Sequence, residues 1–254
     1  MPVRITPAVK GLLIACVAIF FIQQTADQFF GQHLMETFGL VPSSFINGRA
    51  IWQLFTYSFL HADVMHLFLN LLMLAFIGGE IEAAWGTARF LRFYFACATV
   101  AGICYLLLNL WLWRDVPMVG ASGAIYGLLM AYGLLFGERV LLFMMLFPMK
   151  ARHFVWILAA LEFTTSLFSG RAALASVAHL GGMAAGFALI WGRAAWTVYR
   201  RNAQASQSSP KRKRRKGDAK HLKLVFDRDR KRRGSDLPDS SDMDSSDDTP
   251  KTWH

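Results

Sequence analysis

Long apolar runs broken by short polar links repeat through the first 190 residues. Residues 9–24, 64–79, 90–113, 122–136, 153–168 and 173–191 are dominated by Leu, Ile, Val, Ala, Phe and Met. A helix needs about 20 such residues to cross a bilayer. It also satisfies its own backbone N–H and C=O groups where no water reaches them. The pattern predicts an all-α polytopic membrane protein with six spans. The long connection between the first two spans, residues 25–63, is rich in aromatics, including Phe29, Phe30, Phe38, Trp52, Phe55 and Tyr57. So much apolar surface predicts a folded insert lying partly in the membrane interface. Residues 140–147 are apolar but too short to cross.

Composition strengthens this picture. The 254 residues are 54% hydrophobic, with mean hydropathy +0.33, above the usual range for a soluble domain. No small-residue cleavage site follows the first apolar run, so it is expected to stay as a span rather than act as a removable signal. The net charge of +10 is unevenly spread. Up to Arg193 there are 11 Lys/Arg and 8 Asp/Glu, a net +3; from Arg200 there are 16 and 9, a net +7. The basic character belongs mainly to the tail, and no nucleic acid partner is expected.

The chain therefore divides into a six-span domain, residues 1–199, and a basic and acidic tail, residues 200–254. Blocks of like charge with few apolar residues predict disorder from about Asn202. The tail reads either as solvated, topology-setting charge or as a contact for anionic lipid headgroups. Lys/Arg residues in the short links place both termini in the cytoplasm. Ser122 then falls at the outer end of the fourth span. Cys16, Cys97 and Cys104 all lie in apolar runs and show no metal spacing; no metal or cofactor is expected.

The candidate chemistry is a set of polar side chains inside apolar helices, each of which demands a reason. Ser122 sits between Gly120 and Gly123 at the start of the fourth run. It reads either as part of a small-residue packing face or as a nucleophile beside free helix N-terminal N–H groups. His66 and Asn70 are four apart, on one face of the second run. His179 lies near the outer end of the sixth. Together these four converge on one depth from three helices. Ser122 with His179 supplies a nucleophile and a base; Asn70 and His66 supply donors suited to an oxyanion, beside the Ser122 N–H. Tyr126, one turn from Ser122, is placed to stack on the imidazole. Gly123 and Gly127 on one helix, with Gly182 and Gly186 on the other, allow close approach. No acidic third member is evident. Glu162 in the fifth run reads either as a hydrogen-bonding group near the interface or as part of a lateral substrate gate.

The segment Gly120-Ala121-Ser122-Gly123, with Ala178-His179-Leu180-Gly181-Gly182-Met183-Ala184-Ala185-Gly186, resembles the rhomboid family of intramembrane serine proteases. His66-Leu67-Phe68-Leu69-Asn70 and residues 78–86, with Glu82, resemble it too. The resemblance covers about residues 52–186. It implies the six-helix rhomboid core and a Ser122–His179 dyad. It also implies cleavage of transmembrane protein substrates near their outer ends, within the lipid bilayer. Trp52-Gln53 departs from the Trp-Arg of many members, which leaves the arginine's role in the insert without its usual residue. The absence of a seventh run resembles the simplest bacterial members, whose place is the cell (inner) membrane. Two other readings stand beside it: a non-catalytic relative that binds and escorts membrane proteins, and a small transporter with a midplane polar site. The transporter reading predicts internal repeats, and none is convincing.

Overall fold

The structure, a computed structural model, describes residues 4–31, 33–112, 115–143, 147–169 and 172–208. It divides into two units, residues 1–199 and residues 200–254. The first is mostly helical. Helix α1 (Pro7–Phe30) is followed by three short helices, α2 (Leu34–Phe38), α3 (Pro42–Ile46) and α4 (Gln53–Thr56), and a 3-10 turn at Tyr57–Phe59. Next comes a continuous helical run: α5 (Val64–Met73), a π-helical stretch (Leu74–Gly78) and α6 (Gly79–Trp85). Then come α7 (Thr87–Leu112), α8 (Ser122–Leu135), α9 (Ala151–Phe168) and α10 (Ala172–Ser208). Among the described residues, four helices are long and apolar enough to cross a membrane: Pro7–Phe30, Val64–Trp85, Thr87–Leu112 and Ala173–Gln204. The chain is a multi-pass integral membrane protein.

Two expectations change. The apolar stretch at 140–147 belongs to a two-stranded antiparallel hairpin, β1 (Val140–Phe143) with β2 (Phe147–Lys150). The fold is therefore not purely α. A stretch too short to span pairs its backbone laterally instead. The polar junction after the second run is helical through Trp85. Helix α10 runs to Ser208, beyond the point near Asn202 where composition predicts disorder. The basic and acidic blocks from Lys211 onward lie outside the described residues.

The glycines and acid of that polar junction have a specific use. The Glu82 carboxylate accepts from the Ala8 and Val9 N–H groups at 2.9 and 3.0 Å, and from the Thr6 and Thr87 hydroxyls. Those backbone donors open α1, where no intrahelical acceptor exists; a carboxylate there also complements the helix dipole. The carboxylate comes from another helix because Thr6, the residue before α1, makes no side-chain cap of its own. Gly79 permits the approach: a Cβ there would lie 1.7 Å from the Arg4 carbonyl oxygen.

The insert is folded, as its aromatics predict, and is tied to the segment before α8. Leu40 and Met118 exchange both backbone hydrogen bonds, at 2.9 and 3.0 Å. The Ser43 N–H and hydroxyl donate to Asp115. Gln53 is buried, accepting from the Val41 N–H and donating to the Glu36 and Thr37 carbonyls. An amide carries both donor and acceptor, so it bridges two strands of chain that a guanidinium, a donor only, would bridge differently. The glutamine thus has its own way of holding the insert. Helix α8, only 14 residues long, is buried along most of its length among the others.

Replacing Glu82 by Ala leaves the Ala8 and Val9 N–H groups without their acceptor. The expected cost is about 2–3 kcal/mol. Thermal unfolding in detergent should show a clearly lower midpoint for this variant than for the parent. An unchanged midpoint would mean the carboxylate cradle carries no stability.

Candidate active site

Ser122 is the first residue of α8. Its N–H is one of the four that an α-helix leaves without an intrahelical acceptor. The chain reaches it through Gly120, whose φ of +119° is open to glycine alone without strain. The Gly120 N–H donates to the Tyr57 carbonyl at 2.9 Å. Tyr57 is fully buried, and its hydroxyl donates to the Ala98 carbonyl at 2.7 Å. Burial drives its phenol well above the ordinary range, so it remains a neutral donor. The turn before the serine is thus hung from α7 through one tyrosine.

His179 arrives from α10. Its Nε2 lies 2.8 Å from the Ser122 Oγ. This distance requires α8 and α10 to touch backbone to backbone. A Cβ added at Gly182 would lie 2.0 Å from the Gly123 carbonyl oxygen, and one at Gly186 would lie 2.6 Å from that of Gly127. Tyr126 stacks on the imidazole, with ring centroids 4.2 Å apart and planes within 5°.

His66 and Asn70 come from α5. Asp63 caps that helix, accepting from the His66 N–H at 2.8 Å. The His66 ring packs against Gly120: a Cβ there would meet its Cε1 and Nε2 at 2.7 and 2.8 Å, and would lie 3.7 Å from the Ser122 Oγ. Asn70 donates from Nδ2 to the His66 carbonyl at 2.8 Å, and the second hydrogen on that nitrogen is not used by this bond. Ser122 and His179 thus meet at hydrogen-bond distance and the His66 ring lies against Gly120; Asn70 follows His66 by one turn of α5.

Two further groups stand there. Glu162 of α9 reaches inward: its Oε1 lies 3.1 Å from the His179 Nδ1 and accepts from the Tyr126 hydroxyl. The expectation that no acid accompanies the pair is overturned. The signal is present in the sequence, as a lone carboxylate in an apolar run, but its partner depends on how α9 docks. The second group is His61, buried edge-on to His66 with ring centroids 5.2 Å apart. Its Nδ1 faces the Phe59 carbonyl at 3.3 Å.

The sequence profile described as the Rhomboid domain matches residues 48–196, more than half of the chain. The chain belongs to the rhomboid family. It is 34% identical over 143 residues to Rhomboid-like protease 3 of Toxoplasma gondii, which covers 55% of this chain and 51% of that protein. It is 31% identical over 124 residues to Rhomboid protease GluP of Bacillus subtilis, covering 48% and 24% respectively. It is 26% identical over 133 residues to Rhomboid protease GlpG of Yersinia enterocolitica, covering 52% and 44%. The chain thus spans about half or less of the length of each of these relatives. The matched segment of this rhomboid chain contains His66, Asn70, Ser122, Glu162 and His179.

His61 supplies a pH prediction. Burial, then the neighbouring His66, lowers it to about 4, against an opposing pull from the Phe59 carbonyl and Asp63. Between pH 6.5 and 4 the unfolded chain binds a proton there and the folded chain does not. Stability from this group is therefore present above pH 6.5 and lost as pH falls through that window, by about 2 kcal/mol at pH 5. His61→Asn keeps a donor near the Phe59 carbonyl and should flatten the decline in unfolding midpoint between pH 7 and 5. Parallel slopes for the two proteins would remove His61 as a source of acid lability.

Proposed function

We propose that this chain is an intramembrane serine endopeptidase that cuts transmembrane segments of other membrane proteins near their outer ends. The observation that carries the reading is the 2.8 Å contact between the Ser122 Oγ and the His179 Nε2. It lies at a helix N-terminus, in a chain of the rhomboid family. Ser122 attacks the scissile carbonyl while His179 takes its proton at Nε2. His179 then gives that proton to the leaving amine. Water hydrolyses the acyl-enzyme by the same steps in reverse roles. The Ser122 N–H, the second hydrogen of the Asn70 amide and His66 stabilise the oxyanion.

The setting of this chemistry is six crossings, with α8 and α9 completing the four helices of full apolar length. A buried α8 has no need to match the bilayer thickness. Both termini are cytoplasmic on the Lys/Arg distribution, and the Ser122 end of α8 faces outward. The proposed setting is the cell membrane of a bacterium. The substrate helix must unwind locally to present its amide, because a helical carbonyl is already hydrogen-bonded. The apolar surface exposed at the end of α1, at Phe29 and Phe30, and in the insert at Ile51 and Trp52 supports the insert's lying in the membrane interface beside such a substrate. The tail, residues 200–254, is proposed as a cytoplasmic appendage dispensable for the chemistry, whose basic blocks meet anionic lipid headgroups.

A fluorophosphonate probe separates this reading from a non-catalytic escort. Detergent-purified protein should label, and folded Ser122→Ala should neither label nor cleave a model transmembrane substrate. Asn70→Ala loses one oxyanion donor and should turn over about 10²–10³-fold more slowly, roughly 3–4 kcal/mol, while still labelling in time. Cleavage by Ser122→Ala at the parental rate would end the serine-protease reading.

Orientation is tested in cells. A cysteine at Val116 should react with an impermeant thiol reagent added outside, and a cysteine in the tail should not. The reverse pattern would put Ser122 on the cytoplasmic side.

A further inference from the structure

Glu162 remains without a task in the chemistry above. It sits in an apolar helix, and its chain neighbours Leu161 and Phe163 are more than half exposed. Its own side chain is turned the other way and is 13% exposed. Among the described residues it forms no ion pair with Lys or Arg; the ring it meets is the imidazole of His179. A carboxylate placed in an apolar helix and aimed at one ring nitrogen needs a physical reason.

We propose that Glu162 is a positioning residue that completes a Ser122–His179–Glu162 relay by fixing the tautomer and orientation of His179. This rests on the protease reading of Ser122 and His179. The chemistry follows from donor and acceptor roles. An ionised carboxylate can only accept. Its Oε1 lies 3.1 Å from Nδ1, so Nδ1 carries the hydrogen of the neutral ring. Nε2 is then the free lone pair, and it is the atom 2.8 Å from the Ser122 Oγ. That is the tautomer able to take the serine proton. The opposite tautomer would point a hydrogen at Ser122 and leave the base disarmed.

The carboxylate is itself held. The Tyr126 hydroxyl donates to Oε1, and the hydroxyl of Ser176, one turn before His179 on α10, faces the same group. Tyr126 therefore grips the system twice, stacking on the imidazole and bonding the carboxylate. Three helices, α8, α9 and α10, converge on one side chain. The two hydroxyls leave Glu162 no freedom to swing toward lipid. When Ser122 attacks, its proton moves to Nε2 and the ring becomes an imidazolium. The Nδ1 hydrogen stays on nitrogen, and the carboxylate stabilises the new positive charge without being protonated. The Nε2 proton then leaves on the departing amine, and the neutral ring is restored. Of the two readings left open by sequence, the inward aim of Glu162 supports the hydrogen-bonding group.

The test uses the full chain in detergent with a model transmembrane substrate. Glu162→Gln preserves volume, but its amide can offer hydrogen to Nδ1 and so favours the disarmed tautomer. It should lower kcat by about 10²–10⁴-fold with KM little changed. Glu162→Asp keeps the charge on a shorter stem and should recover part of that loss. A packing role would instead lower the yield of folded protein and leave kcat per folded molecule intact. Parental kcat in folded Glu162→Gln overturns the proposal. Should that variant fail to fold, nitrogen-15-labelled histidine in the parent decides. A strongly deshielded Nδ1 proton that vanishes in His179→Ala supports the relay, and the absence of any such proton overturns it. Parent protein that never labels with a fluorophosphonate overturns the protease reading, and the relay with it; labelled parent beside an unimpaired Glu162→Gln overturns the relay alone.

Discussion

The bare backbone contact between α8 and α10 is the constraint on which the site depends. Two helices with ordinary side chains between them stand about 8–10 Å apart. At that spacing a serine and a histidine on facing turns have no fixed reason to touch. Here Gly182 rests on the Gly123 carbonyl and Gly186 on that of Gly127, so closely that any Cβ would collide with backbone. Backbone cannot yield as a flexible side chain can. The glycine pairs therefore do not merely tolerate the Ser122–His179 contact; they fix its length. Cys97 and Ala101 of α7 close the other side of α8, against Gly127 and Gly123. The serine helix is wedged between two neighbours with no slack.

The insert does the complementary job at the open end of α8. A serine at a helix start is held only by the loop before it, and loops are where backbones drift. This loop is bonded at Met118 to Leu40 and at Gly120 to Tyr57. Tyr57 is in turn bonded to Ala98 of α7. So the segment that looks most peripheral in the chain, a stretch between two long helices, sets the height of Ser122. Gln53 holds that stretch together by bridging Val41 to Glu36 and Thr37.

Legibility in the sequence depended on spacing within single helices. His66 and Asn70, Gly123 and Gly127, Gly182 and Gly186 each declare a face by being four apart; the structure packs the two glycine faces together and sets the His66 ring against Gly120. The rise and fall of hydrophobicity marked where helices run. Contacts set by docking angle were not legible. Glu162 is one polar residue in an apolar run, and only the rotation of α9 decides whether it meets lipid, water or His179. The β1–β2 hairpin was hidden because a four-residue apolar stretch reads the same whether it pairs as a strand or packs as a turn. The continuation of α10 to Ser208 was hidden for a different reason. Polar, charged residues can extend an existing helix cheaply, since nucleation has already occurred.

The helical run Val64–Trp85 shows how the ends of one element divide their duties. At one end the His66 ring lies against Gly120 and Asn70 donates back to the His66 carbonyl, behind the Asp63 cap. At the other, Glu82 cradles the start of α1, while Glu80 accepts from the Tyr132 hydroxyl and pairs with Arg139. Between them lies the π-helical stretch Leu74–Gly78. A π-turn carries more residues per turn than an α-turn, and so rotates its C-terminal flank relative to its N-terminal one. In a strictly α-helical run, a face chosen to aim His66 at Gly120 would also dictate where Glu80 and Glu82 point. The π stretch breaks that dependence. One end can be aimed at the site and the other at α1 and the hairpin side. The acids anchor the element, and the anchored element sets His66 against Gly120.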